Sequence, residues 1–105
     1  MHKWQNLLGM AMRARRVALG DSVLASIQSR RAALVLIAAD IGANQRKKLC
    51  DKCAFYQVPY VFVENAAWID EAIGQHNRKS VAIQDSGFAK SIQSCMKRLS
   101  LIHIS

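Results

Sequence analysis

The segment Ala33-Leu34-Val35-Leu36-Ile37-Ala38 constrains the fold more than any other stretch of this chain. It is apolar at every position and lacks the alternation of a strand with one face in water. Such a run is too short for a membrane span, which needs about 18 to 20 residues, and it suits a central strand covered by helices on both faces. The flanking sequence supplies the helices. Trp4, Leu7, Leu8 and Ala11 recur at helical spacing and predict a first helix over 3–14. Gly20, Asp21 and Ser22 give a flexible residue and two N-cap candidates ahead of Val23, Leu24 and Ile27, placing a second helix over 22–30. Arg16-Val17-Ala18 between them is compatible with extended chain, but three residues decide little.

Beyond the apolar run, Leu49, Cys50, Cys53 and Ala54 fall at helical spacing, and Pro59 stops that helix before Tyr60-Val61-Phe62-Val63, a second strand. Trp68, Ile69, Ala72 and Ile73 form a short helix ending at Gly74. Ser80-Val81-Ala82-Ile83 is a third strand, and Phe88, Ile92, Cys95, Met96 and Leu99 mark a last amphipathic helix. Strands alternating with helices predict an α/β domain with helices on both faces of a small, mainly parallel sheet. With 105 residues, about half of them apolar, the chain supports one core. Residues 1–99 are read as that domain and 100–105 as a tail.

The start of the chain lacks the apolar h-region of a signal peptide, which points to the cytoplasm. Cys50, Cys53 and Cys95 are odd in number and are read as reduced thiols. The net charge is +8, and residues 1–52 hold ten of the fifteen Lys and Arg against Asp21, Asp40 and Asp51, so this half carries +7. That concentration favours a polyanionic partner, nucleic acid or an anionic membrane face.

Enzymatic constellations are weak. Cys50-Asp51-Lys52-Cys53 has the CxxC spacing of redox and zinc sites, but it lies inside a predicted helix rather than at its start, and no second paired motif completes four zinc ligands. The two cysteines read better as small apolar residues facing the core. His2, His76 and His103 are scattered, and the glycines form neither a Walker loop nor GxGxxG. No enzyme, metal, cofactor or small-molecule substrate is expected. The basic groups Arg13, Arg15, Arg16; Arg30, Arg31; and Arg46, Lys47, Lys48, Lys52 remain. The segments starting at Gly20 and Asp40 each lead into a helix, and helix N-termini beside arginines make a phosphate-binding edge. The basic segments lack interleaved aromatics, so groove or duplex RNA fits better than single strands.

With these segments in hand, the chain resembles the kink-turn-binding ribosomal proteins of the large-subunit 7Ae and 30e type, in their small bacterial YlxQ-type branch. The matching stretches are Asn6–Arg13, Gly20, Leu34–Asp40, Lys47-Lys48 with Asp51–Ala54, Val58–Val63, Ala72–Gly74 and Asp85–Lys90, in order along nearly the whole chain. The resemblance implies a three-layer α-β-α sandwich on a mixed four-stranded sheet, with Arg16-Val17-Ala18 as the short first strand. It also implies a monomeric, ribosome-associated RNA-binding module without cofactor. Carried over, the groove-reading turn falls on Gly20, Asp21 and Ser22, the basic residue of the preceding strand on Arg16, and the capping loop on Gln75 to Ser80. Arg13, Arg15, Arg16 and Arg46 would neutralise backbone phosphates, and Asn77, Arg78 and Lys79 would close over the loop. Strong kink-turn binders have an Asn-Glu pair where this chain has Asp21-Ser22, and an apolar capping loop where this one is polar and basic. A protein-interaction module that keeps the fold is the alternative.

Overall fold

The computed structural model describes residues 3–64, 66–74, 79–96 and 102–103. Along the chain the elements are α1 (Lys3–Arg13), β1 (Val17–Leu19), α2 (Ser22–Gln28), β2 (Leu34–Ala38), α3 (Ala43–Tyr56), β3 (Tyr60–Val63), α4 (Ala66–Ile73), β4 (Ser80–Ile83), α5 (Ser86–Met96) and β5 (Ile102–His103). The sheet order is β1-β4-β2-β3-β5, which puts the apolar run in the middle.

All five residues of β2 are 0 % exposed. Its side chains alternate between two cores even though its residue types do not. Leu34, Leu36 and Ala38 pack with Trp4 and Leu8 of α1, Ile69 and Ile73 of α4, and Ala89 and Ile92 of α5. Val35 and Ile37 pack with Val23 and Ile27 of α2 and with Leu49 and Cys53 of α3. The result is a three-layer α-β-α sandwich, with three helices on one face and two on the other.

The sheet is mixed rather than mainly parallel. Among the described strands, β2 and β3 are the one neighbouring pair that runs parallel, with Leu36 opposite Val61. β4 is antiparallel to both β1 and β2, and β5 antiparallel to β3. The pattern of residue types misled on this point for a physical reason. A strand covered on both faces is apolar at every position whichever way its neighbours run, so the pattern reports burial and not direction. The first strand begins one residue later than Arg16, and α2 stops at Gln28, two residues short of the expected end. Ile102 and His103 pair with Val61 and Tyr60 at the sheet edge; the rest of the expected tail and the expected boundary at residue 99 lie outside the described residues.

Three helices end in the left-handed conformation on residues other than glycine: Arg15 (φ 60°) after α1, Arg30 (φ 61°) after α2 and Gln57 (φ 58°) after α3. Their N–H groups turn back to the last carbonyls, as in Arg15 to Met12, Arg30 to Ile27 and Gln57 to Ala54. This conformation costs an L-residue about 1–2 kcal/mol, which glycine avoids at some loss of chain entropy.

Two stability changes follow. Leu36→Ala leaves a cavity between the sheet and the α1–α4–α5 layer and should lower unfolding free energy by about 2–5 kcal/mol, read as a fall in the urea midpoint at unchanged slope. Gln57→Gly should raise the melting temperature, by at most about 4–8 °C for each kcal/mol of strain relieved.

Candidate nucleic-acid interface

The carboxyl end of β2 gathers the starts of α2 and α3. Gly20 (φ 57°) turns the chain from β1 into α2 through the left-handed region, and its carbonyl accepts from Val23 N–H at 3.1 Å. On the far side of β4, the chain after Ala38 turns at Ile41, whose N–H donates to Ala38 O at 3.1 Å, and enters α3 through Gly42. Lys79 is tied to the same edge by its carbonyl, which accepts from Ala38 N–H at 2.8 Å. Together they enclose a cleft of about 340 Å³. Val23, Leu24, Ile41 and Leu49 supply apolar lining, while Asp21, Gln45, Lys79, Ser80 and the backbone at Gly20 and Gly42 supply polar lining.

Electrostatically the cleft is set by helix starts. α3 begins at Gly42 with no side-chain cap hydrogen bond and no acid in its first turn, so its leading N–H groups face outward with the positive end of the helix dipole. Asp40 is close in sequence but turned away, its Oδ1 accepting from Ala66 N–H at 3.0 Å at the start of α4. Asp21 occupies the N-cap position of α2, yet it adopts helical dihedrals and makes no side-chain cap hydrogen bond. The expected capping bond is therefore replaced by the backbone turn at Gly20.

The residues singled out from sequence separate in space. Gly20, Asp21 and Lys79 meet in the cleft, and Ser22 starts α2 beside it as an exposed residue. Arg46 is next to the cleft but not in it. Gly42, Gln45 and Leu49 follow the cleft-facing side of α3, whereas the Arg46 guanidinium stacks 4.7 Å from the centroid of Phe62 on β3, a cation–π contact. Arg13, Arg15 and Arg16 lie at the opposite end of β1, where Gln84 N–H donates to Arg16 O at 2.7 Å. The three residues of β1 separate Arg16 from Gly20, four steps of extended chain or about 13 Å. Asn77 and Arg78 lie outside the described residues. Gln45 is the cleft residue that sequence reasoning missed; its spacing of three from Gly42 and four from Leu49 was the available signal.

The chain matches the model of the ribosomal protein L7Ae/L30e/S12e/Gadd45 family over residues 2–93. It belongs to this family. The RNA-binding protein YlxQ of Bacillus subtilis (strain 168) is 44 % identical over 95 residues, covering 90 % of this chain and 95 % of that protein. The RNA-binding protein YlxQ of Enterococcus faecium is 36 % identical over 96 residues, covering 90 % and 92 %. A solved structure of a Bacillus halodurans protein of unknown function superposes with a TM-score of 0.88 at 36 % identity, covering 92 % of this chain and 99 % of that one. A 15.5 kD RNA-binding protein of Giardia lamblia shares the fold, with a TM-score of 0.73 at 20 % identity over 91 % of this chain and 83 % of that one. As a member of the L7Ae/L30e/S12e/Gadd45 family, the chain is not an enzyme.

The three cysteines fall on the two faces of the sheet. Cys50 and Cys53 sit in the middle of α3, far from its start, and Cys95 packs on the other face of the sheet. Among the described residues no group of three or more His, Cys, Asp or Glu is placed to hold a metal. Burial, with Cys50 as a further cause, pushes the Cys53 thiol up to about 12. Burial also raises Cys50, against the opposing influence of Arg46 and a hydrogen bond with Tyr60. Neither is poised as a thiolate. Because the folded pKa of Cys53 lies above its ordinary value of 9.0, its stabilising contribution is full below about pH 9 and fades as the pH rises towards 12. Unfolding measured between pH 7 and 11 should therefore lose stability more steeply in the native protein than in Cys53→Ala.

Proposed function

We propose that this chain is an RNA-binding protein that holds a bent, kink-turn-like element of ribosomal or other structured RNA, working in the cytoplasm as a monomer. The observation that carries this reading is the composition of the cleft: apolar lining able to take the face of a base, backbone N–H groups of a bare helix start to meet a phosphate or groove edge, and Lys79 on the rim. Support comes from the two YlxQ relatives, both named RNA-binding, and from the ribosomal proteins that give the family its name. In this reading Gly20, Asp21 and Ser22 meet the groove, Lys79 closes on the backbone with Asn77 and Arg78, and Arg46 neutralises phosphate at the flank of the cleft.

One observation favours the alternative, a protein-interaction module. Asp21 places a carboxylate in the cleft where an RNA phosphate would be repelled, and no cap hydrogen bond occupies it.

A titration of a fluorescently labelled kink-turn RNA across a range of KCl concentrations tests both readings. Lys79→Ala should weaken binding and reduce the slope of log affinity against log salt by about 0.7 to 0.9, the share of one neutralised phosphate. Asp21→Asn should strengthen binding about fivefold, since a unit-charge repulsion at 4 Å in water is about 1 kcal/mol. If the native protein binds kink-turn RNA no more tightly than a plain duplex, the kink-turn claim fails. Absence of RNA from protein purified without nuclease, together with no binding to protein-free RNA, selects the interaction module.

A further inference from the structure

The arginines left out of the cleft gather at the opposite end of the sheet. β1 and β2 flank β4, so their starting ends lie about 10 Å apart. Arg13, Arg15 and Arg16 lead into the first, Arg30 and Arg31 into the second, and all five are exposed. The two segments are held by one polar hub. Gln84 N–H donates to Arg16 O, while the Gln84 side-chain amide donates to Ser26 Oγ. The buried Ser26 in turn offers its carbonyl to Arg31 N–H at 3.0 Å. Gln84 and Ser26 thus lock both arginine-bearing turns into one rim.

Compensation of helix dipoles is the plain structural explanation for basic residues at helix ends, and it does not account for this distribution. α3 is the longest helix and has no basic residue in its last turn, and neither has α2. Four of the five arginines lie beyond the helices, with Arg15 and Arg30 in left-handed positions where glycine is the usual occupant. None of the five is ion-paired among the described residues, and the carboxylate nearest in sequence to the hub, Asp85, accepts from Phe88 N–H at 2.9 Å at the start of α5.

We propose that Arg13, Arg15, Arg16, Arg30 and Arg31 form a second phosphate-binding surface, opposite the cleft, that takes the backbone of a second RNA segment, so that one molecule bridges two RNA limbs. The bridging rests on the RNA reading of the cleft; the rim itself does not. A duplex backbone fits because these turns carry no aromatic residue for base stacking and, besides alanine, no exposed apolar residue to enter a membrane.

The test uses a donor-labelled kink-turn RNA, an acceptor-labelled plain RNA duplex and three proteins: native, Arg15→Gly/Arg30→Gly, and Arg15→Lys/Arg30→Lys. Glycine is the favoured residue at both left-handed positions, so the double glycine variant should melt no lower than the native protein. The native protein should bring the two RNAs into energy transfer. The glycine variant should abolish transfer and reduce the salt slope for the plain duplex by about 1.5, the share of two phosphates, while keeping its preference for kink-turn RNA; the lysine variant should restore the slope. An unchanged slope in the glycine variant overturns the proposal, as does arginine-dependent binding of polyglutamate without binding of the duplex, which would assign the rim to an acidic protein. Arginine-dependent duplex binding in a protein indifferent to the kink-turn supports the rim and removes the cleft reading instead.

Discussion

The burial of β2 on both faces is the constraint from which the rest of the molecule follows. Five consecutive side chains without solvent contact require apolar partners above and below. α1, α4 and α5 meet one set, α2 and α3 the other, and the pairing of β2 with both β3 and β4 keeps its backbone groups satisfied within the sheet. Once α2 and α3 are committed to the same face, the direction of the chain sends both of their starts to one end of the sheet and both of their ends to the other. β2 therefore sorts the electrostatics of that face as well as its packing.

The two ends attract an anion by different means. At the cleft the charge is mostly backbone: unpaired N–H groups and the positive end of the α3 dipole, with Lys79 as the nearby side chain. At the opposite end the dipoles of α2 and α3 are negative, and any attraction for phosphate has to come from side chains. The arginines supply it there, where their charge is also favourable to the helix ends. An end that relied on backbone alone would repel an anion; five exposed arginines reverse that sign.

Much of this was legible in the sequence, and the failures are instructive. β3 and β4 begin and end where their residue types say, because each is a short apolar run bounded by Pro59, Gly74 or Asp85. β1 was not decidable, since three residues carry too little pattern to separate strand from loop. Strand direction was invisible for the reason that makes β2 recognisable. The site was half legible. Arg16 stands four residues from Gly20 in sequence and reads as its neighbour, but an extended segment converts that proximity into about 13 Å of separation. Lys79 and Gly20 are remote in sequence and share a cleft through the antiparallel register that sets Leu19 opposite Val81. The union of Arg16 with Arg31 depends on Gln84 and Ser26, two polar residues with no sequence signal to connect them.

The acids explain why so basic a surface survives folding. Asp40 and Asp85 each accept a backbone N–H at the start of a helix, α4 and α5, so their charge is spent inside the fold rather than against the arginines. Asp21 differs. It sits at the start of α2, where the helix dipole favours a carboxylate by about 0.3–1 kcal/mol, but it makes no capping bond that would hold it there. The same carboxylate opposes a phosphate entering the cleft by about 1 kcal/mol at 4 Å in water. The two effects are of similar size and opposite sign, so the stability of α2 and the affinity of the cleft for an anion compete at a single residue. On the proposed reading, Asp21 limits how tightly the cleft holds RNA, and the arginine rim carries the larger share of salt-dependent binding.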